Sequence, residues 1–498
     1  MTISSLWSFF GGIKLPSFKE ETAKVPIIQS TLPQYLTISL SQYKNQPADP
    51  VVSVGESVLK GQIIAQPQGK DGVSVHASSS GKIVNIKPFP IPHQAGIHVP
   101  CIQIETDGEE KWIDIQQTED SYQQSPEKLL QLIEQAGISG LGGAGFPTHR
   151  KLALNIPVNT LILNGAECEP YICCDDALMQ ERASEILEGL NIMAYILKAQ
   201  QCIIGIEDNK PEAHHALKAT VPPEIKIIKV PSYYPVGGEK QLIKTLTGKE
   251  VPSGKLPQDI GVICHNVSTA AAVYQAIYKG KPLISRIVTV TGIGIDQPQN
   301  MEVLIGTPIS QVLNQVNVDL TQANRLIIGG PMMGFIIDDI DLPITKTTQC
   351  IIVGIPEQKQ LPELPCIRCG ACVEVCPSQL LPQQLYWYVK AKDLTKAQEH
   401  HLFDCIECGN CAYVCPSHIP LVQYYRQAKS EVYLQVQEKA TADKAKERYE
   451  FRQQRLDREQ QEWQTRQQAK KIATSTEDKK AAIQAAIARA KAKKKDSS

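Results

Sequence analysis

Residues 366–378 read C-I-R-C-G-A-C-V-E-V-C-P-S and residues 405–417 read C-I-E-C-G-N-C-A-Y-V-C-P-S. Nine of these thirteen positions are identical at an offset of 39 residues, so the segment is an internal repeat. Eight of the 15 cysteines fall inside it, between Cys366 and Cys415. Each unit has the spacing C-x2-C-x2-C-x3-C-P. Three thiols sit on one tight loop, and the fourth is carried away by a proline that ends the local turn. Gly370 and Gly409 follow the second cysteine of each unit and let the backbone turn closely. Met1 to Phe10 lacks the basic and apolar regions of a secretory signal, so a cytoplasmic chain is expected. Thiols stay reduced there, and clustered cysteines imply metal rather than disulfides.

The spacing is the bacterial ferredoxin run for a [4Fe-4S] cluster. In two-cluster ferredoxins the fourth ligand comes from the other repeat. That pattern implies one cluster on Cys366, Cys369, Cys372 and Cys415, and a second on Cys376, Cys405, Cys408 and Cys411. Structural zinc takes separated CxxC pairs and fits two consecutive triples poorly. Clusters with every iron ligated by protein leave no open coordination position, which points to electron transfer. The linker Pro377 to Asp404 is long and contains a predicted helix at Leu380 to Lys390, which His400 and His401 are expected to cap. Cys101, Cys168, Cys173, Cys174, Cys202, Cys264 and Cys350 are not spaced for metal and are expected to be buried thiols.

The chain's 498 residues suggest several domains. With 51 Lys plus Arg against 52 Asp plus Glu, it lacks the charge of a general nucleic-acid binder. No apolar run approaches the ~18–20 residues of a membrane helix, so a soluble or peripheral protein is expected. Residues 1–25 read as a loose N-terminal tail. Residues 26–115 carry short alternating runs such as Gln62 to Ala65 and Val73 to His76, which read as a small all-β domain. Residues 126–285 alternate buried strands (Leu161 to Leu163, Cys202 to Gly205) with helices such as Ala177 to Leu197, an α/β pattern. Residues 286–350 return to β, with strands at Arg286 to Val290 and Arg325 to Ile328 and a short helix at 311–317. Residues 355–430 hold the cysteine repeat. Residues 431–498 form a Lys/Ala-rich tail, helical or disordered and basic at its end, with docking on a partner or on anionic headgroups as the rival to a solvated helix.

Residues 137–150 read G-I-S-G-L-G-G-A-G-F-P-T-H-R. Five glycines within nine residues bring backbone amides close to a phosphate or a flat ring. The run does not fit G-x-G-x-x-G after a strand, and no G-K-[ST] follows to make it a Walker loop. The stretch G-L-G-G-A-G-F-P-T resembles the flavin loop of the NADH-oxidising flavin subunit of respiratory complex I. Asn164 to Pro170, Tyr234 with Gly237-Gly238-Glu239, and His265 to Thr269 resemble further pieces of that family. Together with the cysteine repeat, the whole chain resembles the C subunits of Rnf (Rsx) ion-translocating electron transport complexes. The resemblance implies a multidomain α/β plus β fold: a barrel-sandwich-hybrid domain, a flavin-type α/β domain, a β-grasp (SLBB-like) domain, an α-helical two-[4Fe-4S] ferredoxin-like domain and a helical basic tail. The first of these is lipoyl-like, and Lys70 falls near where a modified lysine would lie. Its Gly69-Lys70-Asp71 setting is not an acceptor triplet, so the domain is expected to be unmodified.

The same resemblance implies that Gly140, Gly142, Gly143, Ala144, Gly145 and Phe146 lie against FMN and NADH. Asn164 would bond the flavin, and Glu167 and Glu169 would sit near the nicotinamide and ribose. Glu239, Asn266 and Thr269 would complete the ring and phosphate contacts. The chain departs from the flavin subunit at Leu141, Gly238, His265 and Ser268, and Arg150 or Lys151 stands as the basic partner for the FMN phosphate. The implied function is a peripheral electron-transfer subunit on the cytoplasmic side of the bacterial inner membrane, joining NADH or ferredoxin to ion translocation through FMN and two [4Fe-4S] clusters. Its implied partners are the complex's integral membrane subunits and a ferredoxin-like iron-sulfur subunit, with no nucleic acid. Two rivals stay open. One is an iron-sulfur relay without flavin or its own NADH site, and the other is a free cytoplasmic oxidoreductase.

Overall fold

The computed structural model describes residues 6–41, 47–69, 72–117, 121–154, 156–319, 325–355 and 362–495. Lys70 lies outside the described residues. The run Leu161-Ile162-Leu163 is fully buried, as an unbroken apolar strand must be when helices cover both faces of a parallel sheet. In chain order the four strands of that sheet are Thr160–Gly165, Gln201–Glu207, Lys226–Val230 and Val262–Asn266. Their spatial order is third, second, first, fourth, and all pairs are parallel. Strand order reverses between the first and fourth, where Asn164 and Asn266 are register partners at the carboxyl ends. Open α/β sheets bind ligands in the crevice at such a switch point.

One face of the sheet is covered by helices that include Ala183–Leu197 and Val267–Lys279, the other by Glu239–Thr247. The helices Ala183–Leu197 and Val267–Lys279 approach so closely that a Cβ on Gly189 would stand 1.9 Å from the Ala270 carbonyl oxygen. The single helix expected from Ala177 to Leu197 is two, Cys174–Glu181 and Ala183–Leu197. They break at Arg182, whose backbone leaves the helical region while its guanidinium reaches Glu302 at 2.5 Å. A long-range ion pair of this kind leaves no local sequence signal.

Residues 35–106 form two small sheets closed over Leu36, Ile38, Ile64, Ile83, Ile102 and Ile104. The predicted runs appear there as Ile63–Gln66 and Val75–His76. A six-stranded mixed sheet follows the α/β domain, with Ser285–Thr291, Gln299–Leu304, Leu326–Ile328, Phe335–Ile337 and Cys350–Val353. Its sixth strand, Ile27–Gln29, comes from the head of the chain and pairs parallel with Asn300 to Glu302. The division at residue 26 therefore splits differently in space: a three-residue strand with two isoleucines does not say which sheet it joins.

The N-terminal segment is packed. The Trp7 amide donates to the Thr245 carbonyl at 3.1 Å, and the Gly12 amide donates to the Val375 carbonyl at 3.0 Å. Residues 426–498 are a separate unit. Within it, residues 426–495 belong to the helix Leu421–Lys495 and carry i,i+4 pairs such as Arg455–Glu459 at 3.5 Å. No helix of the described residues is long and apolar enough to cross a membrane.

Candidate functional site

The two cysteine repeats fold alike. Positive φ angles recur at the repeat offset: Arg368 (56°) with Glu407 (59°), Gly370 (82°) with Gly409 (85°), and Gln379 (53°) with His418 (53°). Each triple wraps around a short turn of helix, Ala371–Glu374 or Asn410–Tyr413, and the predicted linker helix spans Pro382–Lys390. Two cavities lie between the repeats. One is walled by Cys366, Cys369, Cys372 and Cys415, with Tyr386 and Pro416. The other is walled by Cys376, Cys405, Cys408 and Cys411, with Tyr425 and Pro377. Each cavity thus gathers three thiols of one repeat and the fourth of the other, and no disulfide ties any of them. Cys369 is exposed, whereas Cys376, Cys408 and Cys411 are buried. Burial pushes the Cys408 thiol up to about 12. Of the seven other cysteines, five are buried and Cys168 and Cys202 are partly so.

The glycine loop lies beside the sheet's switch point. It closes on itself through Gly140 N–H to Phe146 O at 2.7 Å and Gly145 N–H to Gly140 O at 3.1 Å. Gly143 (φ 98°) and Gly145 (φ 64°) adopt backbone that side chains disfavour. A Cβ on Gly142 would stand 3.2 Å from Asn266, which caps the helix Val267–Lys279 by accepting the Ser268 amide. Thr269 Oγ1 accepts the Leu141 amide at 3.0 Å. The exposed amides of Gly142, Gly143 and Ala144 meet no protein acceptor among the described residues. Three free amides next to a helix N-terminus suit a phosphate, and a loop without side chains admits a flat ring. Lys151 stands nearby, paired with Glu239 at 2.5 Å.

Asn164 spans the crevice floor, donating to Gly237 O at 2.8 Å and accepting from the Ala166 amide at 3.0 Å. His265 is buried on the fourth strand, and burial and Lys151 hold its pKa well below the usual range, so the imidazole is neutral.

The two glutamates turn inward. Glu167 accepts the Asp175 amide at 2.8 Å, capping the helix Cys174–Glu181, and pairs with buried Lys210 at 3.2 Å. Burial opposes the Lys210 charge, but Glu167, Asp176 and Glu207 outweigh it and raise its pKa. Asp175 in turn accepts from Asn266 Nδ2 at 2.6 Å and Ser268 Oγ at 2.5 Å. Burial and Glu167 push Asp175 up to about 6. Glu169 accepts the Met333 amide at 2.9 Å and the Met332 amide at 3.2 Å, and burial raises it to about 7. Tyr234 lies 3.5 Å from Glu169 and donates to the Cys408 carbonyl at 2.8 Å, joining the α/β domain to the cysteine repeat. Sequence reasoning missed Asp175, Lys210 and the supporting role of Tyr234. The only advance signal was the acidic pair Asp175-Asp176 just after a helix start.

Three family descriptions match the chain: "RnfC Barrel sandwich hybrid domain" over residues 7–109, "Nuo51 FMN-binding domain" over 133–275 and "4Fe-4S dicluster domain" over 365–419. Similar curated proteins are named as the C subunits of an "Ion-translocating oxidoreductase complex". That of Pseudomonas aeruginosa is 46% identical over 464 residues, covering 92% of this chain and 60% of that one. That of Vibrio cholerae is 46% identical over 505 residues, covering 98% and 64%. That of Yersinia pestis bv. Antiqua is 46% identical over 459 residues, covering 91% and 74%. The chain therefore spans from three fifths to three quarters of the length of these relatives. A solved chain of a NAD+-reducing [NiFe]-hydrogenase in the H2-reduced state is similar at TM-score 0.44 and 20% identity, covering 62% of this chain and 63% of that one.

Proposed function

Because the chain belongs to the family of C subunits of ion-translocating oxidoreductase complexes, we propose that it is the peripheral electron-transfer subunit of a membrane-bound complex that couples electron flow on the NADH/ferredoxin side to ion translocation. The observation that carries this reading is the presence, in one chain, of two four-thiol cavities and a glycine loop beside a sheet switch point. Cys366, Cys369, Cys372 and Cys415 would hold one [4Fe-4S] cluster, and Cys376, Cys405, Cys408 and Cys411 the other. FMN would lie on Gly140, Gly142, Gly143, Ala144, Gly145 and Phe146, with Asn164, Glu239, Asn266 and Thr269 completing the ring and phosphate contacts and Arg150 or Lys151 as the basic partner. Bound there, FMN would supply the conversion between a two-electron hydride donor and one-electron clusters. The chain's own residues orient and shield. Neutral His265 adds no charge to the crevice, and Arg150 or Lys151 would offset a phosphate. Glu167 and Glu169 are held by protein groups, so in this reading they shape the crevice, Glu167 through the helix it caps and Glu169 at the approach to Cys408.

The six-stranded domain is read as a β-grasp domain and the C-terminal helix as a basic helical tail. Neither Arg150 nor Lys151 is assigned alone as the phosphate partner. The complex's integral membrane subunits and a ferredoxin-like iron-sulfur subunit would be the partners, holding the chain at the cytoplasmic face of the inner membrane. The inward turn of both glutamates favours a second reading, an iron-sulfur relay without flavin. Anaerobic addition of NADH to the purified full chain separates the two. Bleaching of the visible absorbance supports the flavin reading. Full iron content with no flavin and no response to NADH supports the relay.

A further inference from the structure

The glycine loop is gripped from outside by a turn more than 200 residues further along the chain. Thr345–Thr348 close this turn through Thr348 N–H to Thr345 O at 3.2 Å, with the Thr345 amide on Thr348 Oγ1 at 3.1 Å. It is fastened to the six-stranded sheet: Arg286 donates to the Lys346 carbonyl, and the Thr289 amide donates to the Gln349 carbonyl at 2.9 Å. Two side chains leave it for the loop. Lys346, itself buried, places Nζ 2.7 Å from the Gly137 carbonyl oxygen and 3.5 Å from that of Ser74. Gln349 donates from Nε2 to the Leu141 carbonyl at 2.8 Å. At the same residue Thr269 Oγ1 takes the Leu141 amide.

Leu141 is thereby held at both its amide and its carbonyl, by the helix Val267–Lys279 on one side and by the six-stranded domain on the other. The next three residues, Gly142, Gly143 and Ala144, are exposed, and their amides meet no protein acceptor among the described residues. A flexible glycine run would otherwise sample many orientations of those amides, and holding one carbonyl removes that freedom before a ligand arrives. We propose that Gln349, with Lys346 as its companion anchor, is a positioning residue that orients the glycine loop to receive FMN. The six-stranded domain is then a working part of the flavin site as well as the connection to the cysteine repeat. The inference rests on the flavin reading above and deepens it.

The test uses the full chain, stripped of flavin and titrated with free FMN, with quenching of flavin fluorescence as the readout and iron and sulfide per chain as the control for folding. Gln349→Leu removes one donor to a carbonyl, and a loss on the order of tenfold in FMN affinity is expected at unchanged iron content. Gln349→Asn, which keeps the amide but cannot reach, should weaken FMN similarly and guards against a packing failure in the first variant. A readout without flavin is amide exchange of residues 140–146 in the stripped protein, which should rise severalfold in both variants. FMN affinity within twofold of the parent in both, with unchanged exchange, overturns the positioning role. A parent chain that binds no FMN at all removes the flavin reading and this inference with it, which is a different outcome from a parent that binds and variants that bind equally.

Discussion

Lys210→Met keeps the aliphatic stem of a buried side chain and deletes its charge. In the parent, the Lys210 ammonium is 3.2 Å from Glu167 and 3.7 Å from Asp176, and all three side chains are at most 6% exposed. Removing one partner of a buried pair leaves uncompensated charge and costs about 3–5 kcal/mol. The cost should depend on pH. Burial already raises the Asp176 carboxyl against the pull of Lys210, so without Lys210 its folded-state pKa rises further above the unfolded value. The folded variant then binds more protons than the unfolded chain, and its stability falls as pH rises from the acid side toward neutrality. The deficit should therefore be full near pH 8 and shrink toward pH 5. Lys210→Met/Glu167→Gln, which removes charge from both partners, should recover most of it. Whole-chain unfolding of a multidomain protein is not a single transition, so the assay is native-state amide exchange of the helix Cys174–Glu181 at several pH values. That helix carries Asp175, which holds Asn266 and Ser268 beside the glycine loop, so FMN retention should fall with the local stability. A single variant within about 1 kcal/mol of the parent at every pH would refute the reasoning.

Three further outcomes follow from the same geometry. If each cavity takes its fourth thiol from the other repeat, Cys376→Ser/Cys405→Ser should strip one cluster and keep about four irons per chain. Pairing within repeats would instead damage both clusters, which iron analysis distinguishes. Burial alone pulls Lys346 down to about 7, so between that pH and about 10.5 the unfolded chain binds a proton that the folded one does not. Stability should then rise with pH across this window in the parent, by up to ~1.4 kcal/mol per pH unit, and Lys346→Met should flatten the slope in native-state amide exchange of the strand Ser285–Thr291. Gly189→Ala drives a methyl group into the Ala270 carbonyl and should destabilise the packing of the helices Ala183–Leu197 and Val267–Lys279 by at least ~1–3 kcal/mol in amide exchange of either helix.

The turn of each cysteine repeat was legible because its information is local: thiol spacing, glycine at the turn and proline at the end all lie within thirteen residues. The strands at Leu161 to Leu163 and Cys202 to Gly205 were legible for the same reason, as short unbroken apolar runs. The glycine loop could be located but not oriented, since its grip comes from Thr269, Lys346 and Gln349, each more than 120 residues away. The surroundings of Glu167 were hidden in the same way. A strand-end glutamate looks free for ligand until Lys210, 43 residues on, folds against it. Nor did Ile27–Gln29 carry any mark of joining a sheet formed almost 300 residues later. What escaped was pairing between distant elements, where the chemistry belongs to neither partner alone.

The central claim is that one chain joins a flavin to two iron-sulfur clusters. Iron, acid-labile sulfide and flavin analysis of the anaerobically purified full chain tests it most directly. About eight irons, about eight sulfides and one FMN per chain are predicted. A full complement of iron and sulfide without flavin would contradict the joined site, and zinc in place of iron would contradict electron transfer altogether.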